Sequence, residues 1–134
     1  MHERERVQQL LQQCLLHRTV DSLHFWGPAL QFSEHNHAIK DVVLTIEGSF
    51  RLTRRAETSN YNEKITHLTT LARQKISAVH LVAENDVEIS FVSGDQLTLL
   101  GRNGQFESWQ LRANKEGEMV LIVAGPGEQL TLFE

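Results

Sequence analysis

The sequence predicts an α+β fold: a single domain over residues 1–134, built from two pseudo-repeated units that each set one helix against an antiparallel sheet. Three observations lead there. Apolar residues recur at helical spacing in two segments, one near the start of the chain and one near its middle. The remainder alternates or runs in short apolar stretches bounded by Gly, Asn, Asp and Ser. Finally, LLHRTVDSLH, beginning at residue 15, lies over LARQKISAVH, beginning at residue 71, with a constant offset of 56. The repeats are expected at about 3–55 and 60–134.

In residues 3–18, Val7, Leu10, Leu11, Cys14 and Leu15 follow the spacing i, i+3, i+4, i+7, i+8, which makes one stripe on a helix. Cys14 lies within that stripe and reads as a small buried hydrophobe rather than a reactive thiol. Residues 19–25 alternate, with Val20, Leu23 and Phe25 directed inward, until Trp26, Gly27 and Pro28 interrupt; residues 29–32 then form a short strand. A polar loop follows at 33–37, and residues 41–52 are rich in branched side chains, broken only by Gly48. The polar stretch 51–61 is a connection. Asn60 caps the second helix, with Glu63 placed to answer it as in a capping box, and Ile65, Leu68 and Ala72 mark the buried side. Strands are then expected at 76–82, 87–92, 96–100, 105–111 and 119–123. Ser93, Gly94 and Asp95 supply one turn, and Asn103-Gly104 a tight hairpin, because both residues tolerate positive φ.

The offset pairs Leu15 with Leu71, Val20 with Ile76, Leu23 with Val79 and His24 with His80. It also pairs Gly48, Ser49 and Phe50 with Gly104, Gln105 and Phe106, while Leu30 and Phe32 meet Val87 and Ile89 only after a one-residue shift. Two such half-covered sheets bury more apolar surface together than apart. Phe106 is therefore expected in the core, like Phe50. Glu107, Ser108 and Trp109 have no counterpart of their type, and a bulge near Glu107 or Ser108 would let Phe106, Trp109 and Leu111 all reach compatible environments.

A hydrophobic share of 40% and a charged share of 22% suit a folded globular chain and exclude wholesale disorder. The net charge of −4, from 17 acids against 13 Lys and Arg without a basic block, disfavours a nucleic-acid partner, whose binding rests on phosphate neutralisation. The longest apolar run, 119–124, is too short to span a bilayer, so no membrane association is expected. Cys14 is the only cysteine, which excludes an internal disulfide and a multi-cysteine zinc site. The charged, amphipathic MHERERVQQLL carries no apolar signal core, and a cytoplasmic location follows as the expectation.

Catalytic signatures are weak. Glu34, His35, Asn36 and His37 bring two histidines two apart, which could share a metal, but a nuclease of the HNH kind spreads its named residues over a ββα finger; a polar turn is the simpler reading. His24 and His80 occupy equivalent repeat positions, which points to a shared structural role. Gly125, Pro126 and Gly127 lack the lysine and following helix of a phosphate loop and read as a turn. No catalytic residue, metal ligand or cofactor site is assigned. The densest acidic stretch, 83–88, is either a solvated turn or a negative surface that steers toward a basic partner.

From residue 87 to 133, the order of strand, S-G-D turn, LTLLGRNGQFESWQL and VAGPGEQLTLF resembles a group of small bacterial immunity-like proteins of polymorphic toxin systems. Phe106, Glu107, Ser108 and Trp109, an aromatic followed by E-S-W, and the late Gly125, Pro126 and Gly127 carry the likeness, with VVLTIEGSFRL resembling the group's earlier strand. The resemblance implies a non-enzymatic inhibitor that binds a cognate protein toxin, with Glu84, Asp86 and Glu88 as one candidate contact patch and Glu107 with Trp109 as another. The alternatives are a small metal- or ligand-dependent enzyme at the repeat junction and a homo-oligomeric scaffold whose sheet edges pair between copies.

Overall fold

The first amphipathic segment forms α1 (Glu3–Leu15), and its whole stripe, Val7, Leu10, Leu11, Cys14 and Leu15, is completely buried. The computed structural model describes residues 3–25, 27–35, 37–53, 55, 60–102, 106–127 and 129–134. After α1 come β1 (Val20–His24), β2 (Ala29–Phe32), β3 (Ile39–Ile46), β4 (Phe50–Leu52), α2 (Tyr61–Thr69), β5 (Ile76–Leu81), β6 (Val87–Phe91), β7 (Gln96–Leu99), β8 (Trp109–Lys115), β9 (Glu118–Ala124) and β10 (Leu130–Phe133). They build two antiparallel sheets, one of six strands in the order β1-β2-β3-β8-β9-β10 and one of four in the order β4-β7-β6-β5. The α+β class is as the sequence predicts. Helix α1 packs on β5 of the smaller sheet and on β3 and β10 of the larger, so its stripe sits where both sheets turn their apolar sides. Burying such a Leu or Val is worth about 1.5–3 kcal/mol each. No helix among the described residues is long and apolar enough to cross a membrane.

Each half sends one strand to the other's sheet: β4 pairs with β7, and β8 pairs with β3. Where the halves meet, the hydrogen bonds are reciprocal at the offset of 56. Val20 N donates to Gln74 O at 2.9 Å and Ile76 N to Arg18 O at 2.8 Å; Arg73 N donates to Val20 O at 2.9 Å and His17 N to Ile76 O at 3.1 Å. His17 and Arg73, which leave the helical turn for the strand, both take left-handed φ, 69° and 66°. Both β1 and β5 then carry a bulge, between Val20 and Ser22 and between Ile76 and Ala78. Strands β9 and β10 continue the larger sheet beyond this correspondence.

Several expectations are corrected. Helix α1 stops at Leu15 rather than 18, because His17 turns left-handed to donate to Ile76 O. Phe25 was expected inward but is exposed: the bulge in β1 keeps Leu23 on the core side with Val20, but the strand ends at His24 and Phe25 lies in the turn beyond it. In α2, Asn60 Oδ1 accepts from Glu63 N at 3.1 Å as the cap predicts. Leu68 is buried and Ile65 partly so, whereas Ala72 lies outside the helix and is exposed, its inward place taken by Leu71. Phe106, expected in the core with Phe50, is 66% exposed against 5% for Phe50. Phe106 and Trp109 share no alternation for a bulge to reconcile: β8 begins at Trp109, and the bulge of its ladder with β3 lies far from them, between Lys40 and Val43. Asn103 and Gly104, the expected tight turn, lie outside the described residues.

Helix α1 also covers sheet edges, which otherwise present unpaired backbone groups. Gln8 Nε2 donates to Val79 O at 3.0 Å and its Oε1 accepts from Leu81 N at 2.6 Å, so one side-chain amide stands in for a neighbouring strand along β5. Glu3 Oε1 accepts from Leu132 N at 3.0 Å on β10. Arg18, just past the helix, is buried to 1% exposure. Its Nη1 donates to Ser33 O at 3.0 Å and its Nη2 to Ile39 O at 2.8 Å, which ties together the two ends of the loop between β2 and β3.

Candidate functional site

The E-S-W segment is a structural junction. Ser108 O accepts from Gly48 N at 2.8 Å and Glu47 N at 3.0 Å, while Ser108 N donates to Ala124 O at 2.8 Å, so the residue links both halves. A Cβ on Gly48 would come within 3.2 Å of Ser108 Cα, which explains the small residue there. Trp109 is completely buried, with its Nε1 donating to Asn85 O at 2.9 Å. Trp109 therefore offers no side-chain surface to a partner, and the candidate patch it shared with Glu107 loses it. Glu107 is half-buried, accepts from Gln110 Nε2 and lies beside Glu47. The Glu47 carboxyl is held above its ordinary range by burial, and further by the charge and hydrogen bond of Glu107.

The acidic stretch 83–88 wraps the same junction. A 3-10 turn at Ala83–Asn85 gives Glu84 and Asn85 left-handed φ of 62° each. Asn85, 4% exposed, accepts on Oδ1 from Arg4 Nη1 at 2.6 Å. Glu84 pairs with Arg102, Asp86 Oδ1 accepts from Gly101 N at 2.7 Å, and Glu88 Oε2 accepts from Gln96 Nε2 at 3.2 Å. All three acids thus make contacts inside the chain. Reversing their charges would disturb the turn as well as any complex.

A different surface is open. The register across the larger sheet aligns Gln31, Val43, Arg112, Leu121 and Phe133 in one row on its outer face. Every member is exposed or half-buried, so no element among the described residues covers the row. Phe133 and Met119 are 54% and 58% exposed. Toward β1 the face dips into a concavity of about 670 Å³, whose lining includes Asp21, Glu34, Asp41, Val43, Arg112 and Met119. Two bulges shape it. Val20 pairs with Phe32 and Ser22 with Gln31, which leaves Asp21 as the extra residue of β1. Lys40 pairs with Asn114 and Val43 with Arg112, so β3 also carries one residue too many, and Asp41 there takes a φ of 55°. Bulges re-aim side chains that a regular strand would alternate away, and here both turn an aspartate to the same hollow. The sequence reasoning missed this face because neither acid stands in a dense charge run.

Smaller features are an apolar groove of about 250 Å³ between β1 and α2, beside Leu23, Phe25 and Leu68, and a basic hollow of about 440 Å³ at Arg51 and Arg55. His24 ends β1 in one sheet and His80 lies in β5 of the other, both exposed. The rings of His35 and His17 are tilted to one another with their centroids 5.5 Å apart. Among the described residues no group of three or more His, Cys, Asp and Glu is arranged to hold a metal ion. Compared with family models, curated proteins and solved structures, the chain matches none.

Proposed function

We propose that this chain is an immunity-type protein that binds a cognate bacterial toxin and neutralises it by protein–protein contact. The observation that carries the proposal is the uncovered outer face of the larger sheet, where Met119 and Phe133 stand exposed beside Val43 and Leu121 on a framework of six paired strands. Exposed apolar side chains gathered on a rigid, polar-rimmed surface are what a partner recognises. The resemblance of Phe106, Glu107, Ser108, Trp109 and the Gly125, Pro126, Gly127 turn to immunity-like proteins supports the same class. The reciprocal bonds between residues 17–20 and 73–76 support a duplicated unit as the source of the scaffold. Glu84, Asp86, Glu88 and Glu107 are secondary candidates for contact, with Glu84 the most accessible of the four.

The test is affinity capture of the tagged full chain from its native cells, with identification of what co-purifies. The expected result is a one-to-one complex with a protein whose toxic activity stops when the chain is added. Recovery of the chain alone, at low and at moderate salt, would refute the proposal.

A further inference from the structure

We propose that the concavity on the outer face of the larger sheet receives a cationic segment of the partner, recognised by Asp21, Glu34 and Asp41 and flanked by apolar contacts to Met119 and Val43. This rests on the binding reading above and specifies its surface and the partner's chemistry. Asp21, Glu34 and Asp41 line one hollow, all exposed; among the described residues none of their carboxylates takes part in a hydrogen bond or ion pair, and only Glu34 lies in the field of a cation of the chain, the buried Arg18. The acids at 84, 86 and 88 differ in that each already has a partner within the chain. The charges of Asp21 and Asp41, left uncommitted at a concave surface, are available to an incoming group, and Glu34 adds to the same field.

Complementarity selects the occupant. Arg112 also lines the hollow, so it presents three carboxylates against one guanidinium. A second copy docked face to face would set two net-negative hollows together, each with three carboxylates and one guanidinium, because a twofold interface uses the same patch on both copies. Nucleic acid and an anionic membrane surface carry the same sign and are rejected for the same reason. A protein segment bearing arginine or lysine with aliphatic neighbours meets both features: its charge faces the carboxylates and its stem lies along Met119 and Val43. The volume, about 670 Å³, falls within the range of roughly 300–1,000 Å³ typical of built sites.

The experiment titrates the isotope-labelled full chain with an alternating leucine–arginine peptide, with leucine–glutamine and leucine–glutamate peptides as controls, and follows amide and methyl shifts. Shifts centred on Val43, Arg112 and Met119 are expected with the arginine peptide only. Combining Asp21→Asn, Glu34→Gln and Asp41→Asn should weaken binding at least about tenfold and remove its salt dependence, whereas Glu84→Gln should change it less than about twofold. Asparagine is the substitute at position 41 because it tolerates left-handed φ, so the variant keeps its fold. Shifts centred elsewhere, or binding untouched by the triple substitution, would overturn the proposal. So would a dimer in light scattering that Met119→Lys dissolves, since that assigns the face to a second copy. If a toxin captured from cells binds the triple variant as tightly as the native chain, the concavity is wrong and the inhibitor reading survives. If the arginine peptide docks as expected but cells yield no partner, the surface stands and the inhibitor reading falls.

Discussion

Replacing Gly101 by alanine is the sharpest test of how the two halves are joined. A Cβ at this position would lie 2.2 Å from Asn85 O, 2.3 Å from Asn85 C and 2.5 Å from Glu84 O. All three are backbone atoms, so no flexible side chain can swing away to make room. Gly101 does not occupy the left-handed region; what demands glycine is the close approach of another chain segment. The displaced Asn85 carbonyl is the acceptor for the Trp109 indole, and Gly101 N is the donor to Asp86, so moving the turn weakens both bonds. Overpacking of this kind costs about 1–3 kcal/mol, and a buried donor left without its acceptor about another 1–3 kcal/mol. The expected loss is therefore about 2–6 kcal/mol, a large part of the roughly 5–15 kcal/mol a domain possesses. Urea unfolding followed by circular dichroism measures it, and Trp109 emission in a Trp26→Phe background reports whether the indole site has opened. Gly94→Ala is the control: its φ is +98° but nothing lies within 4 Å, so it carries backbone strain alone and should cost about 1–2 kcal/mol. Equal losses for the two variants, or a loss below about 1 kcal/mol for Gly101→Ala with unchanged emission, would refute the reasoning.

Arg18→Met should destabilise by about 2–4 kcal/mol, because Ser33 O and Ile39 O lose their donors, and amide exchange should accelerate across residues 33–39. Arg18→Lys should recover less than half, since one ammonium cannot reproduce the guanidinium fork. Glu47→Gln should raise the urea midpoint at neutral pH. Burial and Glu107 hold the folded-state pKa of Glu47 above 4.5, so the folded form keeps a proton the unfolded form has lost; stability falls as pH rises from 4.5 through the raised value. The variant should flatten that fall, and an unchanged pH profile would show that the carboxyls do not interact. Cys14 is buried, and burial pushes its thiol up to about 11. Labelling by a thiol reagent at pH 8 should therefore track global unfolding, rising with urea in step with the unfolded fraction. Rapid labelling of the native protein would place the α1 stripe outside the core.

What the sequence determined by itself is local and periodic. The stripe from Val7 to Leu15 follows from a 3.6-residue repeat, the start of α2 from an asparagine able to accept from Glu63 N, and the turn at Ser93 to Asp95 from residues suited to it; each appears in the structure. The antiparallel character followed from short alternating strands. Sheet membership was not legible, because a period of two says which side a residue takes but not which distant strand it meets. Tertiary structure decided that β4 and β8 exchange sheets, and with it that Trp109 is buried over Asn85 while Phe106 remains exposed. It likewise decided Arg18, whose burial depends on two carbonyls 15 and 21 residues away. The open face has the same origin. Asp21 and Asp41 lie far apart in the sequence, and only one extra residue in each of two ladders brings them to one hollow, a displacement set by long-range pairing that a local pattern does not contain.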